Sequence, residues 1–167
     1  AIETNNLAWF IVYKMPTTNK GALIGGNFDS NLKQFQMYTN NGTSEVITAQ
    51  YSTGSIGHVR YTDDNSNYNF ASSHLTATNM KTYKDGVLWE SKLKTYTAPS
   101  GHNFVSLGRV PTSGTYYLNG DIAEVFAYNI SLNNLERVII ENYLGAKYNK
   151  AIPQDFFSYQ ATHNLGV

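Results

Sequence analysis

Oxygen-bearing side chains cluster in the stretch DDNSN, and their chemistry suits a site for a hard cation. Asp63, Asp64, Asn65 and Asn67 supply carboxylate and amide oxygens within five residues. Calcium is bound by oxygen ligands of these types, but the stretch lacks the downstream bidentate glutamate of an EF-hand loop. Asp, Asn and Ser are also the residues favoured in solvated turns, because they form local hydrogen bonds there. We expect a solvated turn, with a calcium site as the alternative.

Groups that could carry out catalysis are sparse. A retaining glycosidase needs two neighbouring carboxylates, whereas Asp121 and Glu124 are three positions apart and would point to opposite faces of a strand. We expect Glu124 to anchor a loop through hydrogen bonds. His58 and Arg60 alternate within HVRY, a pattern that would suit a polysaccharide lyase. The chain has no cysteine and no G-x-S-x-G motif, which excludes a thiol nucleophile and that type of serine nucleophile. We expect a protein that is not an enzyme, with a small lyase or hydrolase as an alternative.

Aromatic rings stand next to hydrogen-bonding side chains in several predicted loops. Such pairs suit a sugar, whose apolar face stacks on a ring while its hydroxyl groups bond to amides, guanidinium groups or imidazoles. Each ring taken alone is more often part of a core or of a sheet surface, yet the rings outnumber what the core should need. The candidate ligand-binding residues are Tyr61, Tyr68, Trp89, His102, Asn103, Arg109, Tyr116, Tyr117 and Asn119.

The composition fits a neutral, polar surface. The 167 residues include 13 tyrosines, and charged residues make up only 14% with a formal net charge of zero. No basic surplus is available to attract nucleic acid or an anionic membrane, and no segment is long and apolar enough to predict membrane insertion. The absence of cysteine favours a cytoplasmic protein or a bacterial surface protein over a disulfide-stabilised secreted domain.

Short strands that must position these groups fill most of the chain. Leu7–Met15 is rich in aromatic and β-branched residues, and we place Trp9 of this strand in the core. Phe35 and Met37 alternate with polar residues, which is typical of a half-buried strand. KDGV and NNGT are hairpin signals, and NFVSLGRV and TYYLNG read as later strands. About ten strands at intervals of roughly 8–12 residues predict a single sandwich or barrel.

The stretch from Gly120 to Asn149 predicts a buried strand followed by an amphipathic helix. Ser131 stands where an N-cap is expected. Apolar residues recur at helical spacing on one side, namely Leu132, Leu135, Val138, Ile139, Tyr143 and Ala146, while Glu136, Arg137, Glu141 and Lys147 take the other. We expect the helix to cover the end or outer face of a sheet and to bury Leu135, Val138 and Ile139.

This closing stretch resembles the C-terminal signature of LamG-like, concanavalin A-like jelly-roll domains of bacterial, Bacteroidetes-type secreted surface proteins. Their pattern, G-x-I-A-E-V-x-x-Y-N followed by a helix and Y-L-x-x-K-Y, is matched by Gly120, Ile122, Ala123, Glu124, Val125, Tyr128, Asn129, Tyr143, Leu144, Lys147 and Tyr148. TYKDGVLWES, FVSLGRV and AWFIVYKM resemble upstream strands, so the resemblance covers most of Leu7–Asn149. Longer members carry an additional segment before the first of these strands, which has no counterpart here.

The resemblance implies an all-β jelly-roll sandwich with one C-terminal helix, occupying residues 1–167 as one LamG-like domain of a larger protein. It also implies a secreted or cell-surface location in bacteria, and many such domains hold calcium near the rim of the sandwich. We expect non-catalytic binding of a polysaccharide or other glycan, with further modules of the same polypeptide as neighbours. An adhesion or spacer module, which binds protein or nothing, is the first alternative, and the small lyase or hydrolase is the second.

Overall fold

The computed structural model describes residues 6–15, 21–27, 34–39, 45–52, 55–62, 67–76, 78–93, 104–109 and 117–155, with the backbone alone at 27, 34–36, 39, 45–52, 55–62 and 104. The described strands are β1 (Leu7–Lys14), β2 (Ala22–Asn27), β3 (Gln34–Thr39), β4 (Glu45–Ser52), β5 (Ser55–Thr62), β6 (Asn69–Leu75), β7 (Asn79–Lys84), β8 (Val87–Leu93), β9 (Phe104–Leu107) and β10 (Asp121–Tyr128). One helix, α1 (Asn134–Tyr148), follows them.

These strands form two antiparallel sheets. The first sheet has the order β10-β1-β6-β7-β8, and the second has the order β5-β4-β3-β2-β9. Each sheet therefore combines strands from distant parts of the sequence, as the crossing connections of a jelly roll require. The protein is an all-β jelly-roll sandwich with a C-terminal helix, which confirms the predicted fold class.

Strand β1 is buried on both faces. Successive strand residues point to opposite faces, and the odd-numbered set of β1 packs against the second sheet: Leu7, Trp9, Ile11 and Tyr13 contact a core that includes Leu23, Ile24 and Met37. The even-numbered residues Ala8, Phe10 and Val12 form a second core with Phe70 and with Leu144 of α1. Trp9 is a core residue, as predicted, and the helix covers the outer face of the first sheet.

The predicted hairpin at KDGV joins β7 to β8. Asp85 and Gly86 have φ angles of +46° and +78°, so both residues of the turn are left-handed. An Asp-Gly pair tolerates this conformation better than most residues, and it sets the twist of a two-residue hairpin. The Asp85 carboxylate also accepts a hydrogen bond of 3.0 Å from the Phe70 amide, which ties the turn to the start of β6.

Two local predictions were wrong. Of the predicted strand TYYLNG, the described residues 117–120 form only an isolated bridge at Tyr117. The N-cap of α1 is Asn133 and not Ser131. The Asn133 side chain accepts from the Glu136 amide at 3.0 Å, and the Glu136 carboxylate accepts from the Asn133 amide at 2.8 Å, which is a complete capping box. Ser131 instead donates to the side chain of Asn6 at 2.9 Å.

The buried face of α1 also differs from the prediction. Val138 is buried as expected, but Leu135, Ile139 and Tyr143 are 61%, 53% and 45% exposed. Arg137 and Glu141, expected to face solvent, are buried against the sheet. The helix is rotated because the sheet offers polar partners to these two charged residues, so the buried stripe includes an ion pair instead of two further apolar side chains.

Glu124 anchors the helix and not a loop, contrary to the expectation. It lies on β10 opposite Val12, on the face of the first sheet that α1 covers. Its carboxylate accepts from Lys147 at 3.0 and 3.1 Å and from the Tyr148 hydroxyl at 3.1 Å.

With 15 residues, α1 is short, and within the described parts of the chain no helix has both the length and the apolar character needed to cross a membrane.

Candidate functional site

One end of the sandwich gathers several of the predicted ligand-binding residues. In the first sheet, Lys14 at the end of β1 pairs with Asp121 at the start of β10. Tyr13 pairs with Asn69 at the start of β6. The segments that lead into β6 and β10 therefore lie at the same end of the sheet. We call this end the rim, with Tyr68 entering β6 and residues 117–120 entering β10.

The second sheet meets the rim through close backbone contacts. The Leu118 amide donates to the Gly108 carbonyl at 2.8 Å, and the Gly108 amide donates to the Leu23 carbonyl at 3.2 Å. A Cβ atom added at Gly21 would lie 2.5 Å from the Leu118 Cα atom, so only glycine permits this approach. Gly108 has a φ of +69°, which turns the chain at the end of β9. The backbone beneath the rim is thus held by both sheets.

Arg109 and Tyr117 are brought together at this rim. They face each other across an isolated antiparallel bridge just beyond β9. Tyr117 is 56% exposed, and Arg109 and Asn119 are also exposed. Ser106 donates to the Arg109 carbonyl at 2.9 Å, which fixes the backbone of the arginine. An exposed ring, a guanidinium group and an amide can together stack on a sugar and bond to its hydroxyl groups.

Tyr68 lies at the same end of the sandwich but in a separate position. It precedes β6, which is separated from β10 by β1. Its side chain is 37% exposed, and its ring centroid lies 6.1 Å from that of Tyr148 at the end of α1. Nearby, Lys150 donates to the Asn69 side chain at 2.9 Å. The structure therefore places Tyr68 with the helix and not with Tyr117.

Trp89 is on the opposite side of the first sheet. It lies in β8, the edge strand farthest from β10, and its side chain is 50% exposed. Two exposed apolar residues, Val87 and Leu88, precede it in the same strand. The structure therefore does not combine Trp89 with the Arg109–Tyr117 pair in one site.

The remaining predicted residues are only partly described. Tyr61 is on β5, the edge of the second sheet opposite β9, and pairs with Val46; its side chain is not described. Six further candidates lie outside the described residues, namely His102, Asn103, Tyr116, Asp63, Asp64 and Asn65.

Asn67 is the described member of the predicted calcium ligands. Its side chain is exposed, and its backbone carbonyl oxygen accepts from the Asn69 side chain at 3.1 Å. Within the part of the chain that the structure describes, no three His, Cys, Asp or Glu residues are grouped so as to hold a metal ion. The calcium site therefore stays a prediction.

A buried polar cluster lies beneath the helix, and the sequence analysis missed it. Ser72, His74 and Tyr83 lie on the helix-covered face of the first sheet, where Arg137 and Glu141 reach them. The signals that could have found it are the alternation of Ser72 and His74 in β6 and the i, i+4 spacing of Arg137 and Glu141.

Hydrogen bonds connect this cluster from the sheet to the helix. His74 Nε2 lies 3.3 Å from the Ser72 hydroxyl, which donates to Glu141 at 3.4 Å. Arg137 donates to Glu141, and its guanidinium carbon lies 4.2 Å from the centroid of the Tyr83 ring. The serine lies between the histidine and the carboxylate, whereas a catalytic triad has the histidine in the middle. The arrangement docks the helix on the sheet.

Burial controls the protonation of this cluster. Burial, with a further contribution from the positive charges of Arg137 and Lys81, lowers the pKa of His74 to about 3. Burial also raises the pKa of Glu141, although its hydrogen bond to Arg137 acts in the opposite direction. His74 is therefore neutral at physiological pH, with its ring between those of Phe10 and Tyr83 at centroid distances of 5.3 and 5.4 Å.

No protein-family model matches the chain, and no curated protein matches it either. Solved structures do share its fold. The CBM40 module of the Ruminococcus gnavus IT-sialidase, bound to α2,3-sialyllactose, superposes with a TM-score of 0.67 and 19% identity, over 82% of this chain and 83% of that chain.

Two further similar structures belong to larger proteins. Domains LG4-5 of the mouse laminin α1 chain give a TM-score of 0.63 at 11% identity, over 77% of this chain and 37% of that one. A structure of botulinum neurotoxin type C, a toxin whose cell entry depends on interaction with two ganglioside molecules, gives a TM-score of 0.63 at 13% identity, over 84% of this chain and 36% of that one. This chain thus spans about a third of each of these two. At such identities the likenesses establish a shared fold, the jelly-roll sandwich.

Proposed function

We propose that this protein is a non-catalytic carbohydrate-binding module that binds a polysaccharide by ring stacking and hydrogen bonds. The observation that carries the proposal is the exposed Arg109–Tyr117 pair with Asn119 beside it. A ring that is 56% exposed gives a sugar face a stacking platform. The guanidinium and amide groups offer donors and an acceptor for the hydroxyl groups around that face.

The rigidity of the rim supports this role. The backbone of residues 117–118 is held between Gly108 and Gly21, so the segment that carries the ring does not have to be ordered when a ligand arrives. Ordering a side chain or loop on binding costs free energy that a preorganised site avoids. A single weak site of this kind gains from such a fixed platform.

The comparisons support a glycan as the ligand class. One protein with this fold is seen with sialyllactose bound, and another enters cells through interaction with gangliosides. We propose a neutral or weakly charged polysaccharide for this chain, since its formal net charge is zero and charged residues are only 14% of the sequence. The non-catalytic assignment is supported by the similar structures, which include a carbohydrate-binding module and the binding domain of a toxin.

We further propose that residues 1–167 form one LamG-like domain and that this domain is one module of a larger bacterial protein, secreted or displayed at the cell surface. The resemblance of Gly120–Tyr148 to such surface proteins supports this placement. Polysaccharides outside the cell would then be the accessible ligands, and neighbouring modules of the same polypeptide would add to the avidity.

A glycan array probed with the purified domain, with and without calcium, tests the function. The proposal predicts binding to one or a few related polysaccharides. Failure to bind any glycan on the array, by a domain shown to be folded by its thermal unfolding transition, would favour the adhesion or spacer role. Release of shortened or unsaturated sugars from a bound polysaccharide would instead establish an enzyme.

A further inference from the structure

A row of aromatic rings follows the junction between α1 and β10. The ring centroids of Phe126 and Tyr143 lie 6.0 Å apart with their planes at 68°. The centroids of Tyr148 and Tyr68 lie 6.1 Å apart at 42°. Lys147 joins the two pairs, because its Nζ atom lies 5.3 Å from the centroid of Tyr143 and 5.6 Å from that of Tyr148. The row therefore runs from β10, along the helix, to Tyr68 at the rim.

One carboxylate fixes the centre of this row. Glu124 accepts hydrogen bonds from the hydroxyls of Tyr143 and Tyr148 at 3.4 and 3.1 Å, and from Lys147 at 3.0 and 3.1 Å. Lys147 also donates to the Tyr143 hydroxyl at 3.0 Å. The hydrogen bond with Tyr143, followed by that with Glu124, raises the pKa of Lys147, so the lysine stays charged at neutral pH. Helix and strand thus hold the rings in fixed orientations.

The row is open to solvent where a ligand would need it. Tyr143 is 45% and Tyr68 is 37% exposed. Tyr148 and Phe126 are partly buried against the core beneath the helix, so the rings open to a ligand are those of Tyr143 and Tyr68. Several rings with charged groups between them are typical of a surface that binds successive units of a chain, each unit stacking on one ring.

We propose that this row, formed by Tyr68, Tyr148, Tyr143 and Phe126 with Glu124 and Lys147, is a second carbohydrate-binding surface that holds several successive sugars of a linear chain. It rests on the proposed glycan-binding function, but it is separate from the Arg109–Tyr117 pair, because the row lies on the outer, helix-covered face of the first sheet whereas Arg109 follows β9 of the second sheet. The exposed rings of Tyr68 and Tyr143 stack on sugar faces, while Glu124 and Lys147, whose hydrogen bonds are made within the row, hold Tyr143 and Tyr148 in place.

Calorimetry with oligosaccharides of increasing length tests the row. The probes are cello-, xylo- and manno-oligosaccharides from the disaccharide to the hexasaccharide, titrated into wild type, Tyr143→Ala and Tyr68→Ala. The proposal predicts an affinity that rises with chain length in the wild type, and a loss of about tenfold for the hexasaccharide in each variant, because one stacking ring is missing. The affinity for the disaccharide should fall much less in at least one of the two variants, because a disaccharide is too short to contact every ring of the row.

Matched controls separate binding from stability. Tyr143→Phe keeps the ring and removes only the hydroxyl, so it should keep most of the chain-length dependence. Leu135→Ala removes an exposed apolar side chain from the same helix, outside the row, and should bind like wild type. Thermal unfolding of every variant identifies any change that results from loss of the fold.

The outcomes distinguish this proposal from the function on which it rests. If the wild type binds oligosaccharides and both Tyr143→Ala and Tyr68→Ala bind with unchanged affinity and chain-length dependence, the row is only a structural contact of the helix. The rim site would then remain. If the folded wild type binds none of the probes and no glycan on the array, the carbohydrate-binding function itself is wrong, and this proposal is wrong with it.

Discussion

Arg109 and Tyr117 face each other across an antiparallel bridge, although the residues between them are outside the described part of the chain. The bridge joins the end of β9, an edge of the second sheet, to the segment that enters β10, an edge of the first. The backbones of two residues with exposed side chains are therefore held at fixed positions on one rim of the sandwich. This arrangement is the basis of the proposed carbohydrate site.

Because α1 buries Val138 and exposes Ile139, we predict that the same substitution has a large effect on stability at one position and a small effect at the next. Val138→Asp should destabilise the domain by about 3–5 kcal/mol, because it places an uncompensated charge at a buried position. Ile139→Asp should change the stability by no more than about 0.5 kcal/mol, since Ile139 is 53% exposed. Urea unfolding of both variants measures the difference. Equal destabilisation by the two substitutions would mean that the helix docks on another face.

The buried His74 predicts a loss of stability in acid. Its folded-state pKa of about 3 lies below the ordinary value of 6.5, so the unfolded state takes up the proton first. The stabilising contribution is therefore fully present above pH 6.5 and is lost as the pH falls towards 3. The total loss is on the order of 5 kcal/mol. Denaturant unfolding at a series of pH values measures this dependence.

The variant His74→Gln provides the control for the pH effect. It keeps a hydrogen-bonding side chain next to Ser72 but does not titrate, so stability should vary less between pH 6.5 and pH 3. Glu141 acts with the opposite sign, because its raised pKa makes the folded state the better proton acceptor. An identical pH profile in wild type and His74→Gln would show that His74 is not the acid-sensitive group.

For the DDNSN stretch, we expect that a chelator leaves the melting temperature unchanged. The stretch lacks the bidentate glutamate of an EF-hand loop, and Asp, Asn and Ser are favoured in solvated turns. Differential scanning fluorimetry with EDTA and with added calcium checks this expectation. A calcium-dependent rise in melting temperature that disappears in Asp63→Ala would establish the site, since a ligand of the folded state stabilises it by mass action.

The sequence predicted the sandwich because its signals are local. Strand periodicity, the Asp85–Gly86 turn and the apolar run of β1 each depend on neighbouring residues, and each was confirmed. The helix was placed correctly but its buried face was not. Apolar spacing favoured Leu135 and Ile139, whereas the docked face is determined by partners of Arg137 and Glu141 that lie more than 50 residues earlier in the chain.

The candidate site was less predictable for the same reason. Tyr68, Trp89 and Tyr117 are all at least 37% exposed, and their role in ligand binding stays a prediction. Their separation could not be predicted, because it follows from the order of strands in the sheets. That order places β6 and β8 on one side of β1 and β10 on the other. The row at Tyr143 was missed because Tyr143 was expected in the buried stripe.

Calorimetry of the rim site tests the central claim most directly. Neutral glucans, xylans, mannans and agarose, with sialyllactose as the anionic probe, would be titrated into wild type, Tyr117→Ala and Tyr117→Phe at low and high salt. We predict binding of a neutral glycan with a Kd of about micromolar to millimolar. Salt should change this affinity little, because screening weakens only interactions between charges. Tyr117→Ala should weaken binding by about tenfold or more at an unchanged melting temperature, since only the row at Tyr143 and Tyr68 would remain, and Tyr117→Phe should keep the wild-type affinity. Binding only to sialyllactose that disappears at high salt, or a neutral-glycan affinity unaffected by Tyr117→Ala, would contradict this account.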